Sequence, residues 1–144
     1  MNLDNFINTK NPDYNMCLKA VSLFKDALHY INVDKFSNDR NVLKITKTPA
    51  LDLYYYAVSC HGEALRYVRN PTDKIIRAAL FADGNAIRFC FEQKDDYCTI
   101  AINSSPNAIH LIRRPTEDLC KLTITIWGKS ATIPEKFAYL WCES

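Results

Sequence analysis

Six cysteines and three histidines are the side chains of this 144-residue chain best equipped for covalent or metal chemistry. A thiol nucleophile needs a base within hydrogen-bond reach, and the one Cys–His adjacency, Cys60-His61, does not provide it. Neighbours along a helix end point about 100° apart, so the two side chains leave the backbone on different faces. Zinc and redox sites call for C-x-x-C spacing, which no pair among Cys17, Cys60, Cys90, Cys98, Cys120 and Cys142 shows. The sequence also lacks a Gly-rich phosphate loop, a Ser/His/Asp signature and H-E-x-x-H. These residues predict a protein that is not an enzyme, with no cofactor, no metal and no disulfide, its thiols reduced and mostly buried.

Charge offers a different chemistry, because the cations recur. Arg66, Arg88 and His110 are spaced by 22 residues, with His29 in the equivalent place of an earlier segment. Arg69 and Arg113 share a second phase three residues on, so Arg66/Arg69 and His110/Arg113 are i, i+3 neighbours on one helical face. Acids gather elsewhere, at Asp13, Asp52, Asp73, Asp95, Asp96, Glu117 and Asp118. Carboxylates in a first helical turn complement the macrodipole, which accounts for them without a ligand. A basic edge set against an acidic one suits recognition of an acidic protein surface, and Arg66, Arg69, Arg88, His110 and Arg113 are the candidate partner-binding residues. Tyr55 joins them as a contact anchor, since its counterparts Arg77, Thr99 and Lys121 mark a polar, solvent-facing phase. Nucleic acid is the alternative partner, although helices packed about 8–10 Å apart track phosphates spaced about 3.4 Å poorly.

The elements that must carry this edge follow a 22-residue period. Gly62, Gly84 and Gly128 stand in one register, with Pro106 in the empty slot. Pro49, Pro71 and Pro115 form a second column with Gln93 in the gap; Ala57, Ala79, Ala101 and Thr123 form a third, and Ala64, Ala86, Ala108 and Ser130 a fourth. One unit, Asn70 to Cys90, reads as helix, turn and short helix. Asn70 and Pro71 give a cap and a first helical position, and Ile75, Ile76, Ala79 and Leu80 make an apolar face. Gly84 ends the helix by taking a left-handed turn, and Ala86, Ile87 and Cys90 face inward after it. An N-terminal unit keeps the same internal spacing from Pro12 to Tyr30 but lies 37 residues from the next. The surplus, residues 32–47, is expected to hold a degenerate helix on Val42, Leu43 and Ile45 rather than a long connection. Tyr30, Tyr67 and Phe89 recur beside buried positions and are expected in the core. Leu122 to Trp127 is β-branched enough for a strand, but packing should keep it helical. The expected fold is all-α: a stack, of either hand, of about five helix-turn-helix units near 11–31, 48–69, 70–92, 93–113 and 114–133. A helix in 134–144, bearing Phe137, Leu140 and Trp141, caps it.

The unit resembles a short tandem helical-repeat family of uncharacterised function found in phage, viral and bacterial proteins. The consensus of that family runs Asn-Pro-Thr, aliphatic, Ala-Ala-Val, Gly-x-Ala-Leu and Tyr-Ile. The likeness is closest over Thr48 to Cys90. It implies stacked helices without catalytic residues, and a small phage or mobile-element protein that binds and inhibits, or redirects, a host or defence protein.

Bulk composition sets the remaining bounds. A 48% hydrophobic and 24% charged content is that of one globular domain, and a net charge of +2 is too mild for binding by bulk field alone. No apolar run approaches the ~20 residues of a membrane span, and Met1 to Phe6 lacks a signal-peptide pattern, so a cytoplasmic protein without membrane contact is expected, in the host cytoplasm if phage-encoded. A structural subunit of a larger assembly is the third reading of the stacked surface.

Overall fold

The computed structural model describes residues 1–142, and the last two residues of the expected 134–144 cap lie outside the described residues. The class is all-α, with no strand among the described residues. Among the described residues seven α-helices run α1 (Leu3–Ile7), α2 (Tyr14–Leu23), α3 (Arg40–Leu43), α4 (Pro49–Cys60), α5 (Asp73–Ala82), α6 (Asp95–Ser104) and α7 (Glu117–Trp127). The segments expected to be short second helices are 3₁₀ helices: Ala27–Tyr30, Gly62–Tyr67, Gly84–Phe89, Ala108–Leu111 and Gly128–Ser130. Three to six residues are too few for a stable α-helical ladder, and the tighter i→i+3 turn satisfies more of their backbone. Helices α2, α4, α5, α6 and α7 pack each on the next, and the 3₁₀ helices from Ala27 to Leu111 do the same in a second row. A continuous core from Phe6 to Leu140 lies between the rows.

Local chemistry sets where each helix begins. Asp13, Thr72 and Thr116 accept hydrogen bonds from the amides of Met16 (2.8 Å), Ile75 (3.3 Å) and Leu119 (3.2 Å), as N-caps do. Asn70 is therefore not the cap expected of it. With Asn11 it takes a left-handed conformation, at φ 48° and 50°, which asparagine tolerates better than most side chains. Pro49 does open its helix at the first position. The 32–47 segment folds into two short pieces, a 3₁₀ helix Val33–Asn38 and α3, which bury Val33, Phe36 and Val42. Leu122 to Trp127 is helical in α7, where the buried Thr123 hydroxyl donates to the Leu119 carbonyl and Trp127 Nε1 donates to Ile102 of α6 at 2.6 Å. After Pro134 the chain forms a 3₁₀ helix, Glu135–Cys142, that buries Leu140 against the core and leaves Trp141 39% exposed.

The glycine column has a different cause from the one its position suggests. Only Gly128 has positive φ, at 52°. Gly62 and Gly84 are packing glycines: a Cβ on Gly62 would stand 2.5 Å from the Ala79 carbonyl oxygen, and one on Gly84 would overlap that of Ala101. The Gly62 and Gly84 turns thus press bare backbone onto the next α-helix, at the wholly buried Ala79 and Ala101. Gly128 ends the last α-helix of the row, and a Cβ there would meet nothing within 4 Å.

The thiols follow the packing. Cys17, Cys90, Cys98 and Cys120 are buried, Cys60 and Cys142 are exposed, and all six are free. Burial pushes the thiols of Cys17 and Cys90 up to about 11. Native protein should therefore titrate two thiols rapidly and six after denaturation. Above pH 9 an unfolded chain ionises these cysteines while the folded one does not, so the urea midpoint should fall as pH rises from 9 to 11. Ala79→Leu should destabilise by ~1–3 kcal/mol through overpacking, and Gly84→Ala by at least as much because backbone blocks the new methyl. Wild-type urea midpoints for both would contradict the close approach.

Candidate functional site

Three residues per turn decide which side chains of the second row face out. In a 3₁₀ helix positions i and i+3 eclipse, so Gly62 and Leu65 point inward and Glu63 and Arg66 outward, while Ala64 is buried and Tyr67 half-buried at the edge. Likewise Gly84, Ala86 and Ile87 are buried, Arg88 faces outward and Phe89 stands at the edge, while Asn85 is half-buried with its Oδ1 enclosed. Recurrence of this pattern brings cations of one segment beside rings of the next.

The result is a ladder of alternating rings and cations. The His29 ring lies 5.0 Å from both Tyr30 and Tyr67. The Arg66 guanidinium stands 5.2 Å from the centre of Tyr67 and 5.5 Å from that of Phe89, and Arg88 covers Phe89 at 4.6 Å. The expectation that these aromatics sit in the core needs correction. Tyr30 is 49% exposed, while Tyr67 and Phe89 are half-buried, packing on the core and against the cations at once. Tyr67 also donates to Asp26 at 3.0 Å, which raises its pKa together with the larger effect of burial.

Acids on this face neutralise some of the cations. Glu63 pairs with Arg88 at 3.2 Å and Lys25 at 3.5 Å. Arg69 and Asp34 meet loosely at 4.0 Å with both side chains largely in solvent. Arg66 has no carboxylate partner among the described residues. A groove of about 590 Å³ opens beside it, between the Ala27–Tyr30 and Gly62–Tyr67 turns, with Tyr30, Tyr54, Arg66, Tyr67 and Arg69 among its walls.

The other expected site residues have different surroundings. His110 shares a 2.7 Å hydrogen bond with Thr132. Arg113 donates to the carbonyls of Cys90, at 3.0 Å, and Phe91, bracing the preceding turn. Tyr55 is 40% exposed on α4, where the Lys74 ammonium covers its ring at 4.7 Å. Arg66, Arg88 and the aromatics thus come together, while Arg113 is tied into the scaffold and Tyr55 belongs to the α-helical row. Tyr30, Tyr67, Phe89 and Glu63 are the members that the repeat columns did not assign to the site, and His29 stood in the basic column without being assigned to it. The available signal was that Tyr30, Tyr67 and Phe89 each directly follow a member of that column.

On the α-helical row the acids do more than complement dipoles. Arg77 bridges Asp73 of its own helix (2.9 Å) and Asp96 of the next (3.4 Å), and Tyr97 donates to Asp73 at 2.7 Å. That hydrogen bond, then Arg77, holds the Asp73 carboxyl below its usual range, and the same hydrogen bond, then burial, pushes Tyr97 up to about 12. His61 hydrogen-bonds the Ser22 carbonyl at 3.1 Å. Among the described residues no group of three or more His, Cys, Asp or Glu is placed to hold a metal ion, and no helix is long and apolar enough to cross a membrane. Comparison of the chain with family models, curated proteins and solved structures finds no match.

The two arginines of the second phase should separate in stability assays. Arg113→Ala removes charge-assisted hydrogen bonds to two carbonyls and should cost ~1.5–3 kcal/mol. Arg69→Ala should stay within about 0.5 kcal/mol of wild type, because an exposed ion pair contributes little. Equal urea midpoints would contradict the assignment.

Proposed function

We propose that this chain is a non-enzymatic helical-repeat protein, a stack of five hairpin units closed by the C-terminal turn. In this reading it binds an acidic surface of another protein through the ring–cation ladder. The observation that carries the reading is Arg66, which is wedged between Tyr67 and Phe89 with no carboxylate partner among the described residues. A guanidinium held by two rings has given up side-chain freedom before any partner arrives, so less is lost on binding. Stacks of this kind offer extended surfaces without a reactive pocket. The tandem-repeat resemblance supports a role as a small phage or mobile-element protein that occupies a host or defence protein in the host cytoplasm.

Nucleic acid is the second reading, favoured by one observation: rings interleaved with arginines are the platform on which single strands stack. The spacing weighs against it, since segments packed about 8–10 Å apart track phosphates spaced about 3.4 Å poorly.

Arg66→Glu combined with Arg88→Glu should abolish capture of the partner while the circular dichroism and urea midpoint stay near wild type. Filter binding of generic DNA and RNA at low salt separates the two readings. Binding at micromolar or tighter affinity that weakens steeply with salt would replace the protein partner by nucleic acid. Intact partner capture by the double variant would refute the ladder as the binding face.

A further inference from the structure

We infer that the groove beside Arg66 receives an extended acidic segment of the partner, with a carboxylate on Arg66 and Arg69 and an adjacent apolar side chain among Tyr30, Tyr54 and Tyr67. This rests on the ladder being the binding face and goes further, because it replaces a flat charged surface by a peptide-sized cleft.

The cleft exists because the chain departs from its own period there. The first two units are separated by 37 residues instead of 22, and the extra segment packs its Val33–Asn38 turn against α4. A volume of about 590 Å³ lies within the range of pockets that take compact ligands. Three tyrosines supply apolar ring faces around it. The cations are on one side: Arg66 without a carboxylate partner among the described residues, and Arg69 joined to Asp34 only at 4.0 Å with both groups in solvent.

Asp34 marks the chemistry of the occupant. It is an acid already drawn to this rim, and an incoming carboxylate would take its place at Arg69 at little cost, since exposed pairs of this kind are weak. Two other grooves offer less. The one beside Phe91 contains Arg113, whose guanidinium is spent on the Cys90 and Phe91 carbonyls, and sets Arg114 against two acids, Glu92 and Asp95. In the one beside Cys60 the single cation, Lys25, is held by Glu63 at 3.5 Å, and Asp83 adds a second acid.

The test titrates the full-length protein, followed by amide and arginine side-chain NMR shifts, with blocked ten-residue Gly/Ser peptides carrying a central Glu-Phe-Glu, Gln-Phe-Gln or Glu-Ser-Glu. Glu-Phe-Glu should bind about ten-fold more tightly than either control, shifting Arg66 Nε and residues 29–34. Arg66→Gln should weaken it by about ten-fold, and Asp34→Asn, which removes the competing acid, should strengthen it several-fold. Well-dispersed spectra of both variants show that the fold is intact. The inference is overturned by no shifts at about 5 mM peptide, by equal binding of Gln-Phe-Gln, by an unchanged affinity of Arg66→Gln, or by a thymidine dodecamer that displaces the peptide at lower concentration. Failure of the peptide with loss of partner capture in the Arg66/Arg88 double variant would leave the ladder as a face for a folded surface. Retained capture would remove both.

Discussion

The architecture depends on a backbone-to-backbone contact that tolerates no side chain. Gly62 and Gly84 lie against the carbonyls of Ala79 and Ala101, which locks each turn to the next α-helix at a fixed height. With the turns so placed, the 3₁₀ helices that follow them are brought side by side, and a cation on one reaches a ring on the next. The ring–cation ladder is a consequence of that spacing. Alanines in the matching column make the same demand from the opposite side, because any larger residue would hold the helix off.

Polar groups tie neighbouring segments where the apolar contact ends. Arg77 and Tyr97 join Asp73 and Asp96 across α5 and α6, and Trp127 reaches back to the Ile102 carbonyl from α7. Gln93, which occupies a proline position of the repeat, takes on a larger share. Its amide donates to the Ile87 and Leu111 carbonyls at 3.0 and 3.1 Å and its oxygen accepts from the Arg113 amide at 2.8 Å. A residue that looks like a defect in the pattern is thus the clamp between two turns.

Much of this was legible in the residues. The four columns located the helices and the buried alanines, because periodicity reports burial directly. What escaped was conformation at short range. Asn70 before Pro71 reads as a cap, yet Thr72 two residues on competes for the role and wins it through its hydroxyl. Gly84 after a helix reads as a left-handed turn, and the sequence alone does not reveal that a neighbouring carbonyl excludes its side chain. The second segments read as α-helical, and that periodicity put Tyr30, Tyr67 and Phe89 in the core, whereas three residues per turn moves them to the edge. The site was half visible for this reason: its arginines formed a column that read as surface, and its rings formed one that read as core.

Hydrogen exchange on the chain, free and bound to its captured partner, tests the ladder most directly. Protection is predicted over 27–30, 62–67 and 84–89, with the outer surfaces of α4 and α5 around Tyr55 and Phe81 unchanged. Protection confined to those outer helical surfaces, with the three turns exchanging as in the free protein, would contradict the account.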